Sequence, residues 1–320
     1  MKILPVLCFF ASAIFPAAAH AQPAYPSQPI QFIVPFGAGT TADIIARLLG
    51  DAMAKDLCQN VVVDNRPGAG GTIGASAAAR AKNDGHTLVL GTIASHGIGT
   101  IMFPSATYDP VKDFEPIALI ANVPNMLVVN KSVPVSNIAE FVQYAKKAGN
   151  LNFTSPGAGT TAHLAGDLMR IQLGVPFTHV PYKSGAQALT DVISGVVPAM
   201  IWQVSPLKPH IASGAVKPIA ALSAARIATF PDVPTIAETL LPGFDSNAWF
   251  GVLAPAGTPK PLVERLYKAV RMAMASPDMV RQFTNQGLEP ADVGPEEFRQ
   301  VIARDLKKWR PVVESAKPGS

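Results

Sequence analysis

Cysteine is nearly absent from this 320-residue chain: there are two, Cys8 and Cys58. Cys8 falls in an N-terminal segment that reads as a removable leader. Cys58 then has no partner, so an intramolecular disulfide is excluded and the packed core must supply the stability. Free cysteine is among the most buried residue types, and Cys58 is expected to be a small buried hydrophobe. Charged residues make up 15% of the chain and aromatics 7%, and no basic run or basic-aromatic cluster occurs, which excludes a nucleic-acid surface. His96, His163, His179 and His210 stand at irregular gaps, with no H-x-x-x-H or C-x-x-C spacing, so no metal is expected. A G-x-S-x-G elbow is missing too, and no serine has an evident base partner, so the chain is not read as an enzyme. Beyond the N-terminus no run is apolar enough to span a bilayer.

Residues 1–21 have the layout of a secretory signal. Lys2 precedes an apolar run from Ile3 to Phe15, and a small-residue stretch ends at Ala21. Cleavage after Ala21 places the mature protein in the periplasm. The net charge is +4 for the whole chain, which suits an anionic small ligand without demanding one.

Thirty prolines and 25 glycines are scattered without a short period and punctuate many elements. Val- and Ile-rich runs alternate with helix-like stretches: Ile30 to Pro35, Val61 to Asp64, Thr87 to Leu90, Ile117 to Val129, Leu151 to Thr154, Thr178 to Val180, Ala199 to Trp202, Pro218 to Leu222 and Trp249 to Leu253. This alternation predicts an α/β fold of two domains, each a mainly parallel sheet flanked by helices. The first domain is drawn over residues 22–123 plus 246–320 and the second over 124–245. Helices over Pro261 to Ala275 and Pro295 to Val312 would close the first domain. Ligands of such sheets sit beyond the carboxyl ends of the strands.

Internal repetition is the most informative feature. Gly37-Ala38-Gly39-Thr40-Thr41-Ala42 recurs letter for letter 120 residues later as Gly157-Ala158-Gly159-Thr160-Thr161-Ala162. Each copy follows an apolar run and opens a helical pattern. The first amides of a helix lack intrahelical partners and carry partial positive charge, so a glycine-rich approach makes a ready anion site. Thr40 and Thr160 are natural N-caps, and Asp43 stands three residues after Thr40, at capping-box spacing. His163 occupies the position of Asp43 in the second copy. Capping alone accounts for one such loop; two in matching contexts predict two jaws facing one cleft. Phe36 and Ser155 flank the loops, while Ser95, His96, Trp202 and Gln203 end strands at the same side and are open to either a cleft or a core role. His179 reads as a core residue. A rival reading takes Gly37, Gly39 and Ala42 as G-x-G-x-x-A, with Asp64 as the ribose-binding acid of a dinucleotide-linked oxidoreductase. The leader argues against it, since nucleotide cofactors are scarce outside the cytoplasm.

Several longer strings carry a family likeness: Tyr25-Pro26-Ser27-Gln28-Pro29-Ile30, Asp64-Asn65-Arg66-Pro67-Gly68-Ala69-Gly70-Gly71, Tyr108-Asp109-Pro110-Val111-Lys112-Asp113-Phe114, His163-Leu164-Ala165-Gly166, His179-Val180-Pro181-Tyr182-Lys183, Pro231-Asp232-Val233-Pro234-Thr235 and Leu253-Ala254-Pro255-Ala256-Gly257-Thr258-Pro259. With Val34-Pro35-Phe36 and its glycine loop, they resemble the periplasmic receptors of tripartite tricarboxylate transporters, the Bug proteins. The resemblance implies a two-domain clamshell; no cofactor is expected, and the protein is expected to work as a monomer. The resemblance also implies that a ligand carboxylate is held by the Phe36–Asp43 and Ser155–His163 loops, partly through water, for handover to membrane permease subunits. Two positions depart from the family pattern: Thr40 stands where a second glycine is common, and Gln203 stands near a common acid. Without that acid an amino-acid ligand is disfavoured, because a buried ammonium needs a counter-charge.

Overall fold

A computed structural model describes residues 25–103, 106–182 and 184–315. The leader over residues 1–21, its cleavage point and Lys183 of the His179-to-Lys183 string lie outside the described residues. Among the described residues eleven strands form two sheets: β1 (Ile30–Val34), β2 (Val61–Asn65), β3 (Thr87–Thr92), β4 (Phe114–Val123), β5 (Asn125–Asn130), β6 (Leu151–Thr154), β7 (Phe177–Val180), β8 (Ala199–Gln203), β9 (Val216–Ala221), β10 (Ala248–Pro255) and β11 (Glu289–Val293). The first sheet has the order β11-β4-β10-β3-β1-β2 and the second β7-β6-β8-β5-β9. Helices cover both, giving a two-domain α/β fold. Among the described residues no helix is long and apolar enough to cross a membrane.

The sheets are mixed rather than mainly parallel. β1 pairs in parallel with β2 and β3, and β6 with β7 and β8, as strand-helix-strand units require. The other pairings, β10 with β3 and β4, β11 with β4, and β5 with β8 and β9, are antiparallel. The reason is topological. β4 leaves the first sheet at Val123 and β10 re-enters beside it at Ala248, so two neighbours that lead out and back must run in opposite senses. The single apolar run read over Ile117 to Val129 is therefore two strands, broken at Pro124.

Where the chain passes between sheets, backbone and side chains are laced together. Asn125 donates its side-chain amide to the Ser246 carbonyl at 2.9 Å, and its own carbonyl accepts from Leu222 N–H at 2.9 Å. The Ser246 N–H in turn donates to the Leu222 carbonyl at 2.8 Å. Asn125 and Ser246 are fully buried, so these bonds satisfy groups that would otherwise be costly to desolvate.

The helix after β1 spans Thr41–Leu57 and buries Ile45, Leu49 and Met53, one turn apart, against the first sheet. Full burial of each such side chain contributes roughly 1.5–3 kcal/mol. It ends at Cys58, whose backbone is left-handed with φ 51°. Cys58 is exposed, which corrects the expectation of a buried thiol: as the cap beyond the last turn it points away from the apolar face. The equivalent helix of the second domain, Thr161–Leu173, buries Leu164, Leu168 and Met169. The C-terminal helices Lys260–Met274 and Pro295–Ser315 pack on β4 of the first sheet.

Candidate ligand-binding site

β1 and β6 each deliver a glycine loop to the same end of their sheet, and the two loops superpose in their internal bonding. Thr40 has φ −75° and ψ 162°, Thr160 φ −75° and ψ 158°. Gly39 and Gly159 have φ +78° and +79°, a left-handed conformation that explains why glycine stands there. The Thr40 hydroxyl donates to the Gly37 carbonyl at 2.8 Å and accepts from Asp43 N–H at 3.4 Å. Thr160 does the same with Gly157, at 2.8 Å, and with His163 N–H, at 3.2 Å.

The amides of Gly39 and Gly159 are not offered outward. Gly39 N–H donates to an Asp43 carboxylate oxygen at 2.9 Å, and Gly159 N–H to Nδ1 of His163 at 3.1 Å. Just past each cap the next pair of amides opens the helix, Thr41 and Ala42 in one loop and Thr161 and Ala162 in the other. Their N–H groups have no partner among the described residues. These four residues line one cavity of about 290 Å³ between the two loops.

Asp43 is buried and works behind the loop. Its carboxylate also accepts from the Asn65 side chain at 3.0 Å and pairs with Arg47 at 2.9 Å, while Asn65 reaches on to the Phe36 carbonyl at 3.0 Å. The Arg47 hydrogen bond is the main cause holding the Asp43 carboxyl below its ordinary value, against burial. In the second loop the same place is taken by an imidazole. Nδ1 of His163 is an acceptor, so its proton sits on Nε2, 3.4 Å from Asp167 without hydrogen-bond alignment. The ring lies 4.0 Å from that of His179, and His179 Nε2 shares a 2.8 Å hydrogen bond with buried Ser155. Burial lowers the His163 value, opposed by Asp167; burial and then His163 lower His179 to about 3. Asp43, His163 and Ser155 thus shape the loops from behind.

Phe36, Thr40, Thr41, Thr160, Thr161, Trp202 and Gln203 all line the cavity. Trp202 rests on Gly185, where a Cβ would come within 2.4 Å of the indole. Ser95 and His96 are elsewhere. Both are fully buried, Ser95 bonded to Thr92 and to His96 Nδ1 at 2.9 Å, and the His96 ring meets Phe114 edge-on at 4.5 Å. Burial holds His96 near 3, so it is a neutral core residue. A π-helical turn over Ala94–Ile98 starts directly after β3 and rotates these two side chains inward, leaving Thr92, Ile93 and Ala94 on the cavity. Pro156, Ala248, Trp249 and Phe250 complete the wall, and sequence reasoning did not assign them. Trp249 is fixed from behind by its indole N–H, which donates to Asp305 at 2.7 Å.

Among the described residues none that lines the cavity carries a charge. Among the described residues no group of His, Cys, Asp and Glu is arranged to hold a metal. Asp64, the acid of the dinucleotide alternative, accepts from Gln31 at 2.8 Å and pairs with Arg66 at 2.7 Å, and it does not reach the cavity.

Comparison with known proteins agrees with this architecture. The family model described as the tripartite tricarboxylate transporter family receptor matches residues 45–317. BugT of Bordetella pertussis is 34% identical over 98% of this chain and 96% of its own length. A Rhodopseudomonas palustris protein solved with adipate shares 34% identity and a TM-score of 0.79, covering 91% of this chain and 98% of that one. MatC of Rhodopseudomonas palustris, solved with bound malate, shares 35% identity and a TM-score of 0.76, covering 90% and 100%.

Proposed function

The chain belongs to the tripartite tricarboxylate transporter receptor family, and from that premise we propose that it captures a small organic carboxylate between its two domains and delivers it to the membrane permease. The observation that carries this reading is the set of four unengaged amides, two from each domain, at the edge of one cavity. Each pair is the N-terminus of a helix, where partial positive charge and open donors favour an anion. A ligand held by both pairs lowers the free energy of the closed arrangement and needs no reacting side chain. The protein acts in the periplasm as a receptor, reached through the leader over residues 1–21.

A thermal-shift experiment on the mature protein tests the proposal. A carboxylate at about 100 times its dissociation constant stabilises the native state by about 2.7 kcal/mol, a readily measured shift. Adipate, malate, citrate and benzoate are to be compared with NAD. A shift with NAD and none with any carboxylate would return the dinucleotide reading.

A further inference from the structure

We propose that this cavity selects an aromatic monocarboxylate over aliphatic di- and tricarboxylates. The inference rests on the carboxylate reading above and narrows it to a ligand class. It starts from charge. Each helix N-terminus presents roughly half a unit of positive charge, so the two loops together match roughly one carboxylate. Among the described residues no Lys, Arg or His lines the cavity to meet a second one. A dicarboxylate would leave one negative charge against apolar wall, and unpaired buried charge is among the most costly things a protein site can hold.

The side chains argue the same way. Thr161 is 6% exposed, lines the cavity, and its hydroxyl has no partner among the described residues, so a donor waits beside the free amides of Thr161 and Ala162. Beyond the donors stand four aromatic rings: Phe36, Trp202, Trp249 and Phe250. Two of these are held in place, Trp202 by its seat on Gly185 and Trp249 by Asp305. Fixed rings favour offset-stacked or edge-on packing with a planar guest. Gln203 is the one side-chain amide on the wall among the described residues, and it offers a neutral hydrogen bond where an ammonium would need an acid. The volume of about 290 Å³ lies at the small end of the range for ligand pockets, fitting a single ring and its carboxylate.

Calorimetric titration of full mature protein freed of bound ligand, at pH 7, decides the matter. Benzoate is expected to bind at least tenfold tighter than adipate, malate or citrate, and benzamide, its neutral isostere, at least tenfold weaker than benzoate. Gln203→Lys supplies the missing cation and is expected to raise adipate affinity at least tenfold. Adipate or malate binding as tightly as benzoate in the wild type overturns the selectivity while leaving the carboxylate reading intact. If benzamide equals benzoate, or if none of the acids binds, the carboxylate reading itself falls and this inference with it.

Discussion

The two glycine loops carry the same six residues and the same backbone angles, yet they are braced by different chemistry. Behind the first loop an ionised Asp43 gathers the Gly39 amide, the Asn65 amide and the Arg47 guanidinium. Behind the second a neutral His163 takes only the Gly159 amide and rests against Asp167 and His179. The presentation of two free amides is therefore a property of the Gly-Ala-Gly-Thr backbone and its threonine cap. The residue three places beyond the cap need only be an acceptor, and a carboxylate or an imidazole serves. What the difference changes is how much depends on that acceptor and at what pH it is lost.

The largest contrast is expected from removing the acceptors. Asp43→Ala removes the shared acceptor of two part-buried donors, the Gly39 N–H and the Asn65 amide, and the partner of Arg47; leaving such donors unmade costs on the order of 1 kcal/mol each, and the loss of the charged partner adds to it. Affinity for a carboxylate that shifts the wild type should drop about 100-fold, with a clear loss of stability in urea. His163→Ala strands one donor and should cost about tenfold. Equal losses in the two variants would mean that the loops are braced alike and that the bonding around Asp43 adds nothing.

Substitution of the glycines sharpens the comparison at the next level. A β-branched residue at φ near +78° is strained in either loop, by about 1–3 kcal/mol. At Gly39 a Cβ meets nothing within 4 Å, whereas at Gly159 it comes within 2.6 Å of Met102 Sδ on the first domain. Gly159→Val is therefore expected to weaken binding more than Gly39→Val, by several-fold to about tenfold, once circular dichroism has shown both to be folded. Pairing Gly159→Val with Met102→Ala should remove the difference. If Gly39→Val is the more damaging, the contact with Met102 is not what limits the second loop.

Much of this was legible because it is local. The hexapeptide repeat, the threonine caps and the strand-to-helix order need only neighbours in sequence, and they carry the two-sheet α/β fold. What was not legible depends on residues far apart. That the Gly39 amide turns to Asp43 follows from the side-chain path on the helix rather than from the loop itself. Ser95 and His96 turn inward because a π-helical turn begins at Ala94, and nothing in Ala-Ser-His-Gly signals it. Trp249 and Phe250 reach the cavity only because β10 returns antiparallel beside β4. The edge strand β11, Glu-Pro-Ala-Asp-Val, has no apolar alternation and contains a proline that only an edge tolerates.

The smallest expected effect is in pH, and it separates the loops by window. His163 must stay neutral, since a proton on Nδ1 would end its bond to the Gly159 amide. Burial lowers its value in the fold, against about 6.5 in the unfolded chain. Below 6.5 the unfolded chain then binds more protons than the native one, so this stability is complete above 6.5 and declines as the pH falls toward the folded value. His96 and His179, both near 3, act in the same direction, and for fully buried His96 each pH unit below 6.5 costs about 1.4 kcal/mol. Asp43 acts in the same direction but in a lower window. Its lowered carboxyl contributes stability that is complete above the ordinary carboxylate range and is lost only at lower pH. Between pH 7.5 and 5.5 the second loop should loosen while the first holds. With a carboxylate that stays ionised throughout, affinity should fall by less than about tenfold across that interval. His163→Asn keeps an acceptor for the Gly159 amide but cannot titrate, so its affinity should be flat over the same interval while its melting temperature still declines through His96 and His179. A slope that persists unchanged in His163→Asn would assign the pH dependence to the core histidines and leave the two loops indistinguishable in pH.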